Sequence, residues 1–278
     1  MKNSIMITGS NGFVGRHLSN FYQNAICVNR QTADLCNEED VKTLFSIHQP
    51  DVIIHTAANS NPNPSKDNTL QMYKNLQITS NIVKWMPKHC HIIHLSSSLV
   101  YDTILVDQKQ QVNELSSTNS EFVYGQIKRT CEQVIETCQN YTNIRLCAVV
   151  GLNMTHGLLP KLIKQIKESY SGAGISLLGQ FPGTIQQYLH IDDLISAIEY
   201  IISKDIYGTY NVCPDELLSL FDVIEILKHK FKKDNQIKWI PNDEFYMQNF
   251  YRDMSSNKLR LHGWKTKYTS QHSIESIG

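Results

Sequence analysis

Neither sign of charge dominates the 278 residues, in which 26 Lys and Arg balance 26 Asp and Glu. Such a chain lacks the field that nucleic acid or an anionic membrane requires. The seven cysteines (Cys27, Cys36, Cys90, Cys131, Cys138, Cys147, Cys213) are odd in number and form no Cys-x-x-Cys pair. That pattern speaks against a zinc site and a disulfide framework, and suits reduced, mostly buried thiols. No metal is expected. Apolar runs long enough to span a bilayer are also missing, and the first apolar run begins almost at once with no signal-peptide pattern, so the cytoplasm is the expected compartment. There is no internal repeat, low-complexity tract or long linker.

What is present is a chain long enough to bury a large core and organised as alternating strand-like and helical runs. Strands are predicted over Ile5 to Thr8, Ala25 to Val28, Asp51 to Thr56, His91 to Ser96 and Asn143 to Val149. Helices are predicted over Gly12 to Tyr22, Glu38 to His48, Leu70 to Met86 and Glu121 to Cys138. This alternation predicts an α/β fold, a Rossmann-type doubly wound parallel sheet with both faces covered. Past Gly151 the alternation loosens, and Gly172, Gly174, Gly179, Pro182 and Gly183 mark loops. The expected division is a dinucleotide-binding domain over 1–155, with 184–213 returning to it, and a smaller substrate-binding lobe mainly over 156–278.

The first strand runs directly into Thr8-Gly9-Ser10-Asn11-Gly12-Phe13-Val14-Gly15 and then a helix. Gly9 allows a tight turn, Gly12 the approach of a pyrophosphate to the helix end, and Gly15 close helix-on-strand packing. Farther along, Tyr124 and Lys128 stand four residues apart on a predicted helix and share one face. An ammonium held near a phenol favours the phenolate, which makes the pair suited to acid–base work. Ser97 and the glycine turn both fall on the carboxyl edge of the predicted sheet, where ligands bind in such folds.

These motifs occur in a fixed order. After the glycine turn come Asp34-Leu35, Pro50 to Ala58, Asn75, Leu95-Ser96-Ser97-Ser98-Leu99-Val100-Tyr101-Asp102, Tyr124 to Lys128, His190 to Leu194, and Gly208 to Val212. The chain thereby resembles the extended short-chain dehydrogenase/reductases, the family of nucleotide-sugar epimerases, dehydratases and reductases. Within it, the pattern is most similar to the dTDP-4-dehydrorhamnose reductase branch. The resemblance implies a catalytic triad. Ser97 would hydrogen-bond the substrate carbonyl, Tyr124 would protonate the developing alkoxide, and Lys128 would hold the nicotinamide ribose and tune Tyr124.

The resemblance further implies a cofactor groove of Gly9, Asn11, Gly12, Phe13, Val14 and Gly15, with Asp34 and Leu35 at the adenine and Ala57, Ala58 and Asn75 along the wall. At the end of the second strand, where an acidic residue would select NAD, stand Asn29 and Arg30. An arginine there accepts a 2′-phosphate, so NADP is expected, with NAD as the alternative. Family dehydratases follow the serine position with an acid pair, whereas Ser98-Leu99 stands here. Leucine transfers no proton, which leaves reduction or epimerisation.

For the substrate, a nucleotide-diphosphate sugar, the resemblance points to Arg252, with Lys161 and Ser98 as further contacts. Gln186 and Gln187 stand near the place of a family arginine. His156 reads as a solvated loop residue, and His55, His94 and His190 as packing or hydrogen-bonding residues. The expected activity is reduction of the C4 ketone of a nucleotide-linked 4-keto-6-deoxyhexose, by a homodimer paired through a four-helix bundle. The alternatives are a nucleotide-sugar 4-epimerase with bound NAD and a non-catalytic dinucleotide-binding regulatory subunit.

Overall fold

The computed structural model describes residues 4–58, 69–102, 104, 108–155, 157–168, 174–178, 184–234, 236–240 and 250–277. In chain order the first half comprises β1 (Ile5–Thr8), α1 (Phe13–Phe21), β2 (Ile26–Val28), α2 (Glu38–Ile47), β3 (Val52–His55), α3 (Thr69–Trp85) and β4 (His91–Leu95). A 3-10 turn (Ser98–Val100), β5 (Gln111–Val112), α4 (Val123–Ile135), β6 (Tyr141–Leu146) and β7 (Ala148–Val150) follow. Then come α5 (Leu158–Glu168), β8 (Gly174–Leu178), β9 (Ile185–Gln186), β10 (Tyr188–His190), α6 (Ile191–Ser203) and β11 (Gly208–Val212). The chain closes with β12 (Leu218–Ser219), α7 (Leu220–Phe231), β13 (Gln236–Ile240), β14 (Tyr251–Met254), α8 (Asn257–Leu261) and α9 (Ser270–Ser276).

Six strands form one parallel sheet in the order β11-β6-β4-β3-β1-β2. Every residue of β3 and β4 is buried, which explains why neither alternates apolar with solvent-facing residues and why even His55, His91 and His94 lie inside. Ile7, Val52, Ile54 and Ile93 pack on one face with Leu18 of α1 and Leu194, Ile198 and Ile201 of α6. Met6, Ile53 and Ile92 pack on the other with Val41 and Phe45 of α2, Ile78 and Ile82 of α3 and Ile135 of α4. The chain leaves β1 for β2 on one side and returns to β3 on the other. That reversal opens a crevice at the carboxyl edge.

Two expectations are corrected by the strands themselves. The run Asn143 to Val149 is two strands: β6 lies in the main sheet, and after Cys147 the chain pairs through β7 with β10. The physical reason lies in the neighbouring strand, because β11 ends opposite Leu146 at Val212 and Cys213-Pro214 follows, where proline cannot extend a ladder. Gly174 begins a strand, β8, which pairs with β13. Gly172, Gly179, Pro182 and Gly183 lie outside the described residues, as does His156.

Candidate active site

The glycine turn occupies the crevice between β1 and β3. Gly9 sits at φ +71°, in the left-handed region that favours glycine, and a methyl group there would meet the Ala57 amide nitrogen at 2.7 Å. At Gly15 an added methyl would meet the Gly9 carbonyl oxygen at 2.2 Å, so α1 can approach the turn only through that glycine. Gly12 caps α1 with no side-chain hydrogen bond, which leaves the first-turn amides, beginning at Phe13 and Val14, directed out of the helix end. Asn11 beside it is exposed, and Ser10 Oγ is buried without a partner among the described residues.

The next part of the groove is built from β2 and α3. Asn29 closes the turn after β2, its side-chain oxygen accepting from the Gln31 amide and its own amide donating to Thr32 Oγ1, and Arg30 is exposed on that turn. Asp34 is exposed and its carboxylate accepts from the Cys36 amide, while Leu35 is buried and its carbonyl accepts from Asn81. Ala57 and Ala58 are half-buried beside the glycine turn, and Asn75 is buried on α3.

At the end of β4 the chain turns through Ser97, whose Oγ accepts from the Leu99 amide at 3.1 Å and so caps the 3-10 turn. That bond uses an acceptor lone pair and leaves the hydroxyl hydrogen able to donate. Helix α4 packs directly on this turn. A methyl group on Gly125 would meet the Leu99 carbonyl oxygen at 1.9 Å and Ser120 Oγ at 2.3 Å. Tyr124, one residue earlier, is half-buried, and Lys128 Nζ lies 6.0 Å from its ring centre. Lys128 is buried, with one N–H donated to the Leu95 carbonyl at 2.7 Å. An ammonium has three such bonds to give.

Beneath this pair lie two buried histidines. His55 Nδ1 meets Thr8 Oγ1 at 2.8 Å, and both ring nitrogens of His94 lack a partner among the described residues. Burial, and then the Lys128 ammonium, push the pKa of His55 down to about 3 and that of His94 well below the usual histidine range. Both are therefore neutral at pH 7, as packing residues should be. His190 contributes its ring to the α6 cap and stacks near Tyr268.

Beyond Ser97 and Tyr124 lies a cleft of about 360 Å³, open to solvent, lined by Ser98, Leu99, Phe122 and Phe250 among others. Arg252 also lines it, half-buried, with its guanidinium 5.0 Å from the Phe250 ring centre and 5.7 Å from that of Phe122. Burial pushes its pKa down to about 10, which leaves it charged at pH 7. Ser98 and Arg252 thus share one cleft, whereas Lys161 is exposed on α5 and does not line it. Gln187 is turned inward, bonded to the Pro214 and Met254 carbonyls and the Met254 amide. Gln186 bonds Tyr188 OH.

No motif marks Phe122, Phe250, Glu132 or Arg145, yet all four shape the site. The available signals were physical: Glu132 continues the four-residue spacing of Tyr124 and Lys128, and Arg145 is a charge inside a strand-like run.

A parallel α/β sheet, a glycine cradle at its first helix and a Ser-Tyr-Lys set on its edge define an enzyme of the short-chain dehydrogenase/reductase class. The chain belongs to the NAD dependent epimerase/dehydratase family, whose model matches residues 5–213. A relative in Dictyostelium discoideum, dTDP-D-glucose 4,6-dehydratase, is 23% identical over 266 residues, covering 79% of this chain and 60% of that protein. The chain thus spans less than two thirds of that relative's length.

Among solved structures, dTDP-4-dehydrorhamnose reductase from Bacillus anthracis in complex with NADP superposes with a TM-score of 0.82 at 19% identity, covering 99% of this chain and 98% of the other. A UDP-glucose 4-epimerase from Thermus thermophilus in complex with NAD gives 0.81 at 17%, with 99% and 97% covered. At such identities the likeness establishes the fold.

Proposed function

We propose that the chain reduces the C4 ketone of a nucleotide-linked 4-keto-6-deoxyhexose with NADPH. The observation that carries the reading is the wall of the cleft that Ser98, Leu99 and Phe122 line, next in sequence to Ser97 and near Tyr124. Leu99 stands within the serine turn, and the cleft carboxylate, Asp102, is held by Ser117 Oγ and the Asn119 amide. Tyr101, also in the cleft, has its pKa raised to about 12 by burial and donates to Asn211. Tyr124 is left as the proton donor. One donor suffices for a ketone reduction, whereas dehydration needs a further acid and base.

The glycine cradle, the unclaimed α1 amides and the orphaned Ser10 hydroxyl fit a dinucleotide, which supplies the hydride when bound. Asn11, Phe13 and Val14 complete the cradle, Arg30 would meet a 2′-phosphate, and Asp34, Leu35, Ala57, Ala58 and Asn75 would line the adenosine side. Ser97 would hold the carbonyl oxygen, Tyr124 would donate its proton there, and Lys128 would hold the ribose with its remaining N–H bonds. Arg252, with Ser98 nearby, would take the nucleotide diphosphate. On this reading residues 1–155 with 184–213 bind the cofactor and the remainder binds the sugar nucleotide. The homodimer would pair through α3 and α4, where Tyr73 and Val123 are exposed. Among the described residues no helix is long and apolar enough to cross a membrane.

The test is to supply dTDP- and UDP-linked 4-keto-6-deoxyhexoses with NADPH or NADH and to follow cofactor oxidation with product analysis. Stoichiometric oxidation is expected. Interconversion of UDP-hexoses at C4 without added nucleotide, with no ketone consumed, would replace reduction by epimerisation. Cofactor binding with no turnover of either kind would point to a regulatory subunit. Tyr124→Phe should lower turnover on the order of 10²–10⁴-fold and spare cofactor binding.

A further inference from the structure

We propose that Ser96, Glu132 and Arg145 form a buried clamp that sets the Ser97–Val100 turn against Tyr124, and that all three are positioning residues for the chemistry at that pair. The inference rests on the reading that Ser97 and Tyr124 act together.

Tyr124, Lys128 and Glu132 recur every four residues along α4 and so face the same way. Lys128 Nζ bonds the Leu95 carbonyl, and Glu132 Oε1 accepts from Ser96 Oγ at 2.5 Å. The helix is thereby tied to two consecutive residues that lead straight into Ser97. Arg145 of β6 fixes the carboxylate from below with paired bonds, Nε to Oε1 at 3.0 Å and Nη2 to Oε2 at 2.8 Å. Glu132 is fully buried and Arg145 is 4% exposed.

The same arginine reaches the far end of the turn. Its guanidinium lies 4.9 Å from the Tyr101 ring centre, and Tyr101 OH donates to Asn211 Oδ1 at 2.7 Å on β11. Ser96 precedes the turn and Tyr101 follows it. One ion pair therefore brackets the serine segment from both sides.

Packing alone does not call for these groups. An apolar pair of similar volume stabilises a core as well as a buried ion pair or better, since desolvation offsets much of the attraction. What charged, paired hydrogen bonds add is direction. The tolerance here is small, because α4 already touches the Leu99 carbonyl at Gly125 with no room for a methyl group.

The experiment uses the full chain labelled with fluorotyrosine, with the Tyr124 resonance assigned by its loss in Tyr124→Phe. In Ser96→Ala, and in Glu132→Met combined with Arg145→Met, that resonance should shift and broaden while that of Tyr73 on α3 stays in place. The methionine pair should melt near the unaltered protein; should it fail to fold, Ser96→Ala alone decides. On whichever ketosugar is reduced, kcat should fall on the order of 100-fold with KM little changed, the pattern of misplaced groups. A Tyr124 resonance unmoved in Ser96→Ala overturns the clamp. A protein that reduces no ketosugar defeats the substrate reading and leaves the fluorine readout to judge the clamp.

Discussion

Two arginines near the candidate site are held in opposite ways. Arg145, under α4, has both oxygens of Glu132 in paired bonds, and that partnership outweighs the burial that would lower its pKa. Arg252, at the cleft, has aromatic faces and, among the described residues, no carboxylate within ion-pair distance. A buried charge paired from within by two bonds to one carboxylate serves geometry. A charge that meets only rings among the described residues keeps hydrogen-bond donors for something that arrives, and a diphosphate matches their fork.

Removing the carboxylate that completes the first arginine gives the largest effect expected. Glu132→Ala leaves Arg145 buried and uncompensated and should destabilise the protein by about 3–5 kcal/mol in urea unfolding. A cost no greater than that of an exposed substitution would break the contrast between the two arginines.

Arg252→Met removes the unpaired charge. Its stability cost should be small, about 1 kcal/mol from the lost ring contacts. The affinity for a nucleoside diphosphate, read by calorimetry, should drop about 10–100-fold, the worth of hydrogen bonds to a charged group. Unchanged affinity would place the diphosphate elsewhere.

The histidines beneath Lys128 sharpen the comparison with buried nitrogens that no carboxylate supports. The folded pKa of His55 is about 3, so below pH 6.5 the unfolded chain takes up the proton first. Stability is therefore full above pH 6.5 and is lost as pH falls toward 3, at up to about 1.4 kcal/mol per pH unit for this group. His94 is depressed in the same direction and adds to the slope. Urea midpoints at pH 7, 6 and 5 measure it, and His55→Gln should flatten it. A slope indifferent to that substitution would assign the acid sensitivity to other groups.

Much of this site was legible because it is local in sequence. The strand-to-helix glycine turn and the four-residue spacing of Tyr124 and Lys128 each lie within one short segment. The apolar runs of β3 and β4 announced a covered sheet because both faces of each are buried. What escaped the sequence depends on partners far along the chain. β6 stops where β11 stops, and Pro214, which ends β11, is remote from Cys147. Glu132 carries no mark in the sequence, and only the strand order β6-β4 brings Arg145 and Ser96 to it. Phe122 and Phe250 lie far apart in the sequence, and only the fold brings their rings against each other and both against Arg252. Lys161 is a cation whose helix leaves it exposed and outside the lining of the cleft.

Helix α4 works as a ruler. Its marks at Tyr124, Lys128 and Glu132 stand about 6 Å apart, given a rise of about 1.5 Å per residue. Its zero is pinned at Glu132 deep against the sheet, and its reading is taken at the half-buried Tyr124. A single residue inserted between Glu132 and Lys128 would swing the phenol by about 100°. The interval from 124 to 132 should therefore accept substitutions on its exposed face yet tolerate no change in length, whereas length changes beyond Ile135 would leave the reading untouched.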